Sequence, residues 1–267
     1  MAAACLPRKC LIISLTLLFL FQTLSLISCR SFNSTILKGK YNYPTWAPAV
    51  ATWYGDPYGA GSEGGACGFG KDVSGPKFAK MVSAGGPSLY LDGKGCGACY
   101  QVKCSSNPSC SWKPVTVVIT DSCPGCPEAV HFDLSGTAFG ALAKPGQDNA
   151  LRNAGIIQIQ YQRVPCNYPG NSLTFHIDSG ANPYYFAVIV EYVNGDGELA
   201  ALELKEASGN AWLPMQRSWG EDWKLNSGAP LRGPLSLKLT TDSGGTIEAI
   251  DAIPANWQPG QYYKFPH

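Results

Sequence analysis

Residues 115–121, with the sequence VTVVITD, give the strongest strand signal in the first half of the chain. Val117, Ile119 and Asp121 share one face of this strand, because side chains alternate along a strand with a period of two. Similar short runs surround it, separated by turns that contain glycine or proline. They cover residues 49–54, 99–104, 130–134 and 156–163. Six or so short strands predict a small closed β-barrel, with one helix at 135–142 whose N-cap is Ser135.

The second half of the chain carries a cleaner strand pattern. Residues 173–178 (LTFHID) and 235–240 (LSLKLT) alternate apolar and polar side chains, as half-buried strands do. Residues 185–193 are apolar on both faces, which is typical of a strand in the middle of a sandwich. Turn signals at 194–197 (NGDG) and 243–245 (SGG) separate further strands. This half has no cysteine and no convincing helical pattern, so we predict a β-sandwich.

The first 29 residues predict a secretory signal peptide. Arg8 and Lys9 precede an apolar stretch at 11–27, and Ser28 and Cys29 follow it. The alternative is a membrane anchor, since the stretch is only slightly shorter than the roughly 20 residues that span a bilayer. No cluster of basic stop-transfer residues follows, and this favours cleavage. We therefore expect a secreted, extracellular protein with no transmembrane segment after cleavage.

The cysteines divide the remaining chain into two parts. Three of the eleven cysteines lie in the leader, and the others all lie between Cys67 and Cys166. The eight that remain form an even number, which in a secreted chain predicts disulfides. We expect a flexible segment at 30–46, a disulfide-bonded barrel at 47–166, a linker at 167–171 and the sandwich at 172–267.

The charge of the mature chain argues against one broad class of partner. Loss of Arg8 and Lys9 reduces the basic residues from 20 to 18, against 19 acidic residues. Nucleic-acid-binding proteins carry dense basic patches, so no nucleic-acid partner is expected. The sequon that begins at Asn33 is a candidate glycosylation site in the flexible segment.

Three predicted strands can bring a chemically useful set of side chains together. His131 and Asp133 are two residues apart on one strand and therefore face the same side. Asp121 ends a second strand, and Thr52 and Tyr54 share a face of a third. Carboxylates beside an imidazole and a phenol suit glycoside chemistry, in which one acid protonates the leaving oxygen and one carboxylate acts as base or nucleophile. From spacing alone, His131 is explained equally well as a hydrogen-bonded wall residue.

Longer motifs give the chain a family resemblance. Five of them follow one another as ATWYGDPYGAG (51–61), GGACGFG (64–70), GKGCGACYQVKC (93–104), HFDLSGTAFGALAKPG (131–146) and AIDAIPANW (249–257). Together they resemble the β-expansins, plant cell-wall-loosening proteins related to the grass-pollen group-1 allergens. The resemblance covers nearly all of the mature chain.

The resemblance implies a fold and a function. The fold is mainly β, with a six-stranded double-psi β-barrel followed by an immunoglobulin-like β-sandwich. The implied function is a monomer of the plant cell wall that binds cellulose, xylan or other matrix glycans. It would loosen non-covalent contacts between these polymers at acidic pH, without hydrolysis and without a cofactor or metal.

The resemblance also assigns roles to the clustered residues. Asp133 stands where related endoglucanases with this barrel have their acid, and expansins lack the partner base. Asp56 follows Tyr54 by two residues, close to the position of that base, although a turn opened by Asp56-Pro57 is the simpler interpretation. Glu63 stands where a carboxylate, commonly Asp, precedes GGACG in the family, so its role is open. The expected groove consists of Asp133, His131, Asp121, Tyr54 and Thr52.

Three disulfides follow only from the family pattern, since eight cysteines permit many pairings. They are Cys67–Cys96, Cys99–Cys166 and Cys104–Cys110. Cys123 and Cys126 are left over, and a CxxC pair suggests either metal or redox chemistry. A local bridge across the Pro-Gly turn is the interpretation that we favour, since no second CxxC is free to complete a zinc site.

Aromatic residues make a second candidate site in the sandwich, because sugar rings stack on aromatic side chains. Tyr185 and Trp219 match the positions of the exposed platform in β-expansins. Trp212 is a third candidate, whereas Trp223 and Trp257 are expected to pack in the core.

Two other functions fit the sequence less well. An inverting endoglycanase would use Asp133 as acid and Asp56 as base. A barwin-like defence or carbohydrate-binding protein would share the cysteine-rich barrel but generally lacks the aromatic sandwich. A metalloenzyme has little support, because the three histidines show no ligand spacing.

Overall fold

The computed structural model describes residues 45–170 and 172–266. The expectations about the leader at 1–29 and the sequon at Asn33 lie outside the described residues, as does nearly all of the segment at 30–46. The described chain folds as a β-barrel followed by a β-sandwich, so the mainly β fold class is confirmed.

Six strands close the first domain into a barrel. They are β1 Ala47–Tyr54, β2 Val82–Gly85, β3 Cys99–Cys104, β4 Val115–Ser122, β5 His131–Ser135 and β6 Ile157–Arg163. Their order around the barrel is β1-β5-β2-β4-β3-β6. β1 pairs with β5 and β2 with β4 in parallel, and the other pairs are antiparallel. The closed barrel is confirmed, but the sequence does not predict β2, because its four buried residues (VSAG) show no alternation.

Short helical segments connect the barrel strands. They are α1 Pro87–Tyr90, α2 Gly136–Ala141 and α3 Asp148–Arg152, with 3₁₀ turns at Gly70–Ser74 and Leu91–Gly93. Ser135 caps α2 as predicted, since its Oγ accepts a hydrogen bond from the backbone N–H of Ala138 at 3.0 Å. The sequence does not predict α3, which Arg152 fixes against α2 by donating from Nε to the carbonyl of Gly136 at 3.1 Å.

The barrel core is apolar and contains three of the disulfides. Val117 and Ile119 on β4 are fully buried together with Phe132 and Phe139. Burying a side chain of this size stabilises a fold by about 1.5–3 kcal/mol. Within residues 45–170 there are four disulfides, in the same pairs that the resemblance and the local bridge imply: Cys67–Cys96, Cys99–Cys166, Cys104–Cys110 and Cys123–Cys126.

Two antiparallel sheets form the sandwich. Their strands are β7 Leu173–Ile177, β8 Tyr185–Glu191, β9 Leu199–Glu206, β10 Leu213–Pro214, β11 Gln216–Trp219, β12 Asp222–Asn226, β13 Leu235–Thr241, β14 Thr246–Ile253 and β15 Tyr262–Phe265. One sheet has the order β10-β9-β13-β14 and the other β11-β12-β8-β7-β15. The predicted strand at 185–193 ends early, because Tyr192 adopts a φ of 63° that no strand accommodates.

The barrel covers part of the outer face of the five-stranded sheet. Five direct register partners form one row across this face: Trp219, Asp222, Ile189, His176 and Tyr262. In the middle of the row, Ile189 is buried in the core cluster of the barrel. At one end, the hydroxyl of Tyr262 donates to Asp72 of the barrel at 3.1 Å. Trp219 at the other end is 49 % exposed.

A carboxylic acid is buried in this interface. Glu191 follows Ile189 by two residues on β8, and its Oε1 lies 4.0 Å from Nδ1 of His176. Burial raises the pKa of Glu191 to about 8, and the charge of Asp72 adds to this effect. Burial lowers the pKa of His176. Both shifts favour the uncharged forms, as expected for side chains buried in an interface.

Candidate functional site

The parallel pairing of β1 and β5 assembles the first part of the site. Thr52 is the register partner of Asp133, and Val50 is that of His131. The hydroxyl of Thr52 donates to Oδ1 of Asp133 at 2.6 Å. The same hydroxyl oxygen lies 2.9 Å from Nε2 of His131. The structure thus brings together three of the residues that the sequence singles out.

Asp121 and Tyr54 form the second part of the site. The hydroxyl of Tyr54 donates to Oδ2 of Asp121 at 3.3 Å. The backbone N–H groups of Ala66 and Ser122 donate to Oδ1 of Asp121 at 2.7 and 2.8 Å. A side chain at Gly65 would collide with the carbonyl of Thr120, so glycine lets this loop approach the carboxylate. Asp121 is therefore held on both of its oxygens.

The surroundings of Asp133 raise the pKa of its carboxyl group above the ordinary value. Burial raises the pKa of Asp133, and the charge of Asp121 adds to the shift, while the Thr52 hydrogen bond and the positive charge of a protonated His131 oppose it. Burial and the carboxylate of Asp121 also raise the pKa of Tyr54, so its hydroxyl remains a donor. The site offers one acid able to gain or lose a proton beside one carboxylate fixed by hydrogen bonds.

The two remaining candidate carboxylates, Asp56 and Glu63, accept hydrogen bonds from groups outside the site. Asp56 is exposed, and its Oδ1 accepts from the backbone N–H of Tyr58 at 2.8 Å, which closes a turn. Glu63 is exposed and accepts from the hydroxyl of Ser74 at 2.9 Å. In residues 45–170, the hydrogen bonds of these two groups do not reach Asp133 or Asp121.

Sequence reasoning missed two residues next to the site. Oε2 of Glu128 lies 2.7 Å from Nδ1 of His131. The hydroxyl of Tyr90 donates to the carbonyl of Ala66 at 3.3 Å, on the loop that binds Asp121. Both residues lie outside the strands, so no periodicity connects them with the site, and only the short spacing from Glu128 to His131 gives a signal.

The aromatic candidates of the sandwich lie on two different sheets. Tyr185 on β8 and Trp219 on β11 belong to the five-stranded sheet, and both face the side that carries Ile189. Trp212 lies beside the other sheet, with the ammonium groups of Lys205 and Lys238 at 4.7 and 5.0 Å from its ring centre. Trp212 therefore cannot share one flat surface with Tyr185 and Trp219. Trp223 and Trp257, at 4 % and 8 % exposed, confirm the prediction that they pack in the core.

A glycine loop of the barrel joins the two sites. The ring of Trp219 rests on Gly68, where a Cβ would lie 2.9 Å from Cη2 of the indole. Gly68 has a φ of 88°, which favours glycine on conformational grounds as well. The same loop contains Ala66, which binds Asp121. The carboxyl groups of the barrel and the exposed indole of the sandwich therefore lie on either side of one short loop.

Neither a membrane span nor a metal cluster is found in residues 45–170 and 172–266. No helix there is long and apolar enough to cross a bilayer. No group of three or more His, Cys, Asp or Glu residues in these ranges is arranged to hold a metal ion. Cys123 and Cys126 are joined to each other, so neither offers a thiolate ligand.

The fold and the site define a class of protein with two β domains, in which a carboxyl-lined barrel adjoins an aromatic sandwich face. Two family models match the chain. The model described as Expansin C-terminal domain matches residues 173–254, and the one described as Lytic transglycolase matches residues 82–161.

Plant proteins match over most of the chain. Expansin-B2 of Arabidopsis thaliana is 61 % identical over 222 residues, which are 82 % of this chain and 81 % of that protein. Expansin-B11 of Oryza sativa subsp. japonica is 54 % identical over 224 residues, with coverage of 82 % and 76 %. The chain belongs to the expansin family, and the names of these relatives support a place in its B, or β, subclass.

Two bacterial structures share the fold. An apo expansin of Clavibacter michiganensis is 24 % identical with a TM-score of 0.61, covering 82 % of this chain and 96 % of that chain. A mutant of the same expansin in complex with cellohexaose is 24 % identical with a TM-score of 0.64, covering 84 % and 97 %. These likenesses extend over both the barrel and the sandwich.

Proposed function

We propose that this protein binds polysaccharide of the plant cell wall and loosens the non-covalent contacts between wall polymers without cutting them. The bound chain lies along the surface that runs from Asp133 and Tyr54, across the glycine loop, to Trp219 and Tyr185. Hydroxyl and carboxyl groups of the barrel bind sugar hydroxyls, and the aromatic rings stack on the C–H faces of the sugars.

The observation that carries the non-hydrolytic part of this proposal is the state of Asp121. An inverting glycosidase needs a free carboxylate to activate water, in addition to its acid. Oδ1 of Asp121 accepts hydrogen bonds from Ala66 and Ser122, and Oδ2 accepts one from Tyr54. Asp56 is engaged in a turn. Both candidate bases for Asp133 are thus already hydrogen-bonded to the protein, which favours gripping over cleavage.

Three observations support the proposed location, ligand and pH dependence of this function. The signal-like leader supports secretion to the wall, where the protein acts as a monomer. Cellohexaose bound to the bacterial expansin supports a β-1,4-glucan as one ligand. The raised pKa of Asp133 supports acid dependence, because the protonated carboxyl can donate to a sugar oxygen where the ionised form cannot.

A lytic enzyme is the second candidate, because the family model that matches residues 82–161 is described as a transglycolase. In this function Asp133 would act as the acid and Asp56 as the base. With water as the acceptor, cleavage breaks the glycosidic bond and releases a new reducing end, whereas loosening without cleavage releases none.

The test adds purified mature protein to heat-killed, clamped wall strips at about pH 4.5–5, close to the range in which carboxyl groups titrate. Extension and released reducing ends are measured on the same strips. We expect extension without new ends, and a loss of roughly tenfold or more with Asp133→Asn, which cannot exchange a proton. New ends that disappear with Asp56→Asn would establish the lytic enzyme instead. Full extension by Asp133→Asn across acidic pH would remove Asp133 from the mechanism.

A further inference from the structure

Four side chains form a hydrogen-bonded chain from Asp133 to the protein surface. Oε2 of Glu128, whose side chain is 47 % exposed, lies 2.7 Å from Nδ1 of His131. His131 is only 2 % exposed, and its Nε2 lies 2.9 Å from Oγ1 of Thr52. Oγ1 of Thr52 lies 2.6 Å from Oδ1 of Asp133. Each of the three contacts is short enough to require a hydrogen between its two heavy atoms.

Counting the hydrogens leaves two ways to satisfy the chain with a Glu128 carboxylate. Thr52 has a single hydroxyl hydrogen. If this hydrogen points to an ionised Asp133, then His131 must carry hydrogens on both ring nitrogens and is an imidazolium. If it points to Nε2 of a neutral His131, then Asp133 must be protonated and donate to Thr52. In both arrangements His131 keeps the hydrogen on Nδ1 that Glu128 accepts.

The two arrangements contain the same number of protons. They interconvert when the proton of Asp133 moves to Oγ1 of Thr52 while the hydrogen of Thr52 moves to Nε2 of His131. One O–H bond forms and one breaks at Thr52, so its hydroxyl is restored. The buried imidazole can therefore take up the proton of Asp133, and return it, without a water molecule.

We propose that Glu128 is a positioning residue that sets how His131 and Asp133 share this one proton. Its carboxylate fixes the Nδ1–H hydrogen and favours a positive ring. The proposal rests on the proposed function only in assuming that the protonated form of Asp133 is the one that grips a sugar.

The other charged or titratable groups around Asp133 act in the opposite direction. Asp121 on β4 and the burial of the site both oppose ionisation of Asp133. Tyr54 on β1 contributes a neutral hydroxyl that binds Asp121. These groups draw the shared proton towards Asp133, whereas Glu128 draws it towards His131. Removing the charge of Glu128 should therefore leave the proton on Asp133.

The direct test is a nuclear magnetic resonance titration of the full mature chain and its Glu128→Gln variant. Glutamine keeps an acceptor oxygen but not the charge, and the exposed position tolerates the change. The ring nitrogen signals report which nitrogens of His131 carry hydrogens, and the carboxyl carbon signal reports the state of Asp133. When the two proteins are compared at the same pH, we expect more of the shared proton on the His131 ring in the parent protein and more of it on Asp133 in Glu128→Gln. Identical signals in the two proteins would overturn the proposal.

Two variants of Thr52 test the relay itself. With Thr52→Ser the signals of His131 and Asp133 should keep changing over one common pH range, because the hydroxyl is retained. With Thr52→Val the two residues should respond to pH separately. Separate responses in the parent protein would also contradict a shared proton.

Wall extension gives an independent readout. Glu128→Gln should move the upper edge of the pH profile to higher pH, because more Asp133 stays protonated, while Glu248→Gln on the exposed face of β14 should leave it in place. If the signals change as expected and the profile does not move, the relay stands and the role of protonated Asp133 in the proposed function fails.

Discussion

In the barrel, four disulfides tie strands and loops together, whereas the sandwich contains no cysteine and joins its two sheets through an apolar core. This difference in cross-linking matches a difference in backbone regularity between the two domains. The polar side chains of the barrel lie on strands, but the loops that contact them, such as the glycine loop under Trp219, are irregular, and a hydrophobic core alone would hold these loops poorly. The sandwich presents its site on paired strands, which ladder hydrogen bonds already hold in place.

The largest loss of stability is expected when the disulfide that closes the longest stretch of chain is removed. Cys99–Cys166 closes a sequence separation of 67, and Cys104–Cys110 one of 6. Since a longer closed loop constrains the unfolded chain more, replacing Cys99 and Cys166 by serine should lower the free energy of unfolding by about 2–5 kcal/mol. The matched Cys104 and Cys110 replacement should cost less. Urea unfolding followed by tryptophan fluorescence measures both, and the reverse order would show that loop closure does not explain the need for disulfides.

The interface between the domains should respond to pH through Glu191. Its folded pKa of about 8 lies above its ordinary value, so the folded protein holds a proton that the unfolded chain releases. The stability contributed by this proton is complete at acidic pH and is lost as pH rises from about 4.5 through 8.

The lowered pKa of His176 acts with the opposite sign, because its contribution is lost as pH falls below the ordinary histidine range. As pH rises from about 5 to 9, the free energy of unfolding should fall in both proteins. We expect the fall to be smaller in Glu191→Gln than in the parent protein, by a few kcal/mol. Thermal unfolding of both proteins across this range measures the difference, and parallel curves would show that Glu191 ionises freely.

The smallest effect is expected on the sandwich surface, where the two tryptophans can be compared directly. Trp219→Ala should weaken binding to cellulose by about 1 kcal/mol, roughly fivefold, because it removes an exposed stacking ring. Trp212→Ala should change binding less, since its ring lies beside the other sheet over Lys205 and Lys238. Depletion binding to cellulose gives both values. Equal losses would place the binding surface on both sheets.

Much of the fold is predictable from the sequence, because alternation marks each half-buried strand. The runs that become β7 and β13 follow this pattern in their sequences. β2 does not show this alternation, because both of its faces are buried and its residues are small. The end of β8 is also invisible, because the left-handed conformation of Tyr192 arises from packing against the barrel.

The sequence predicts which residues belong to the site, but not which hydrogen bonds join them. The spacing of His131 and Asp133 places both on one face, but only the parallel register of β1 and β5 puts Thr52 between them. Glu128 reaches His131 from a loop, where no periodicity applies. The division of the aromatic residues between two sheets depends on strand order, which composition does not encode.

The sheet face that the barrel covers limits how the sandwich could be used on its own. Binding domains are often detached and fused to other enzymes as portable affinity tags. Here, detachment would expose Ile189 and the carboxylic acid of Glu191, and would remove the loop on which the Trp219 ring rests. The sandwich of this protein is therefore a poor transferable module, and a fusion partner should receive barrel and sandwich as one piece.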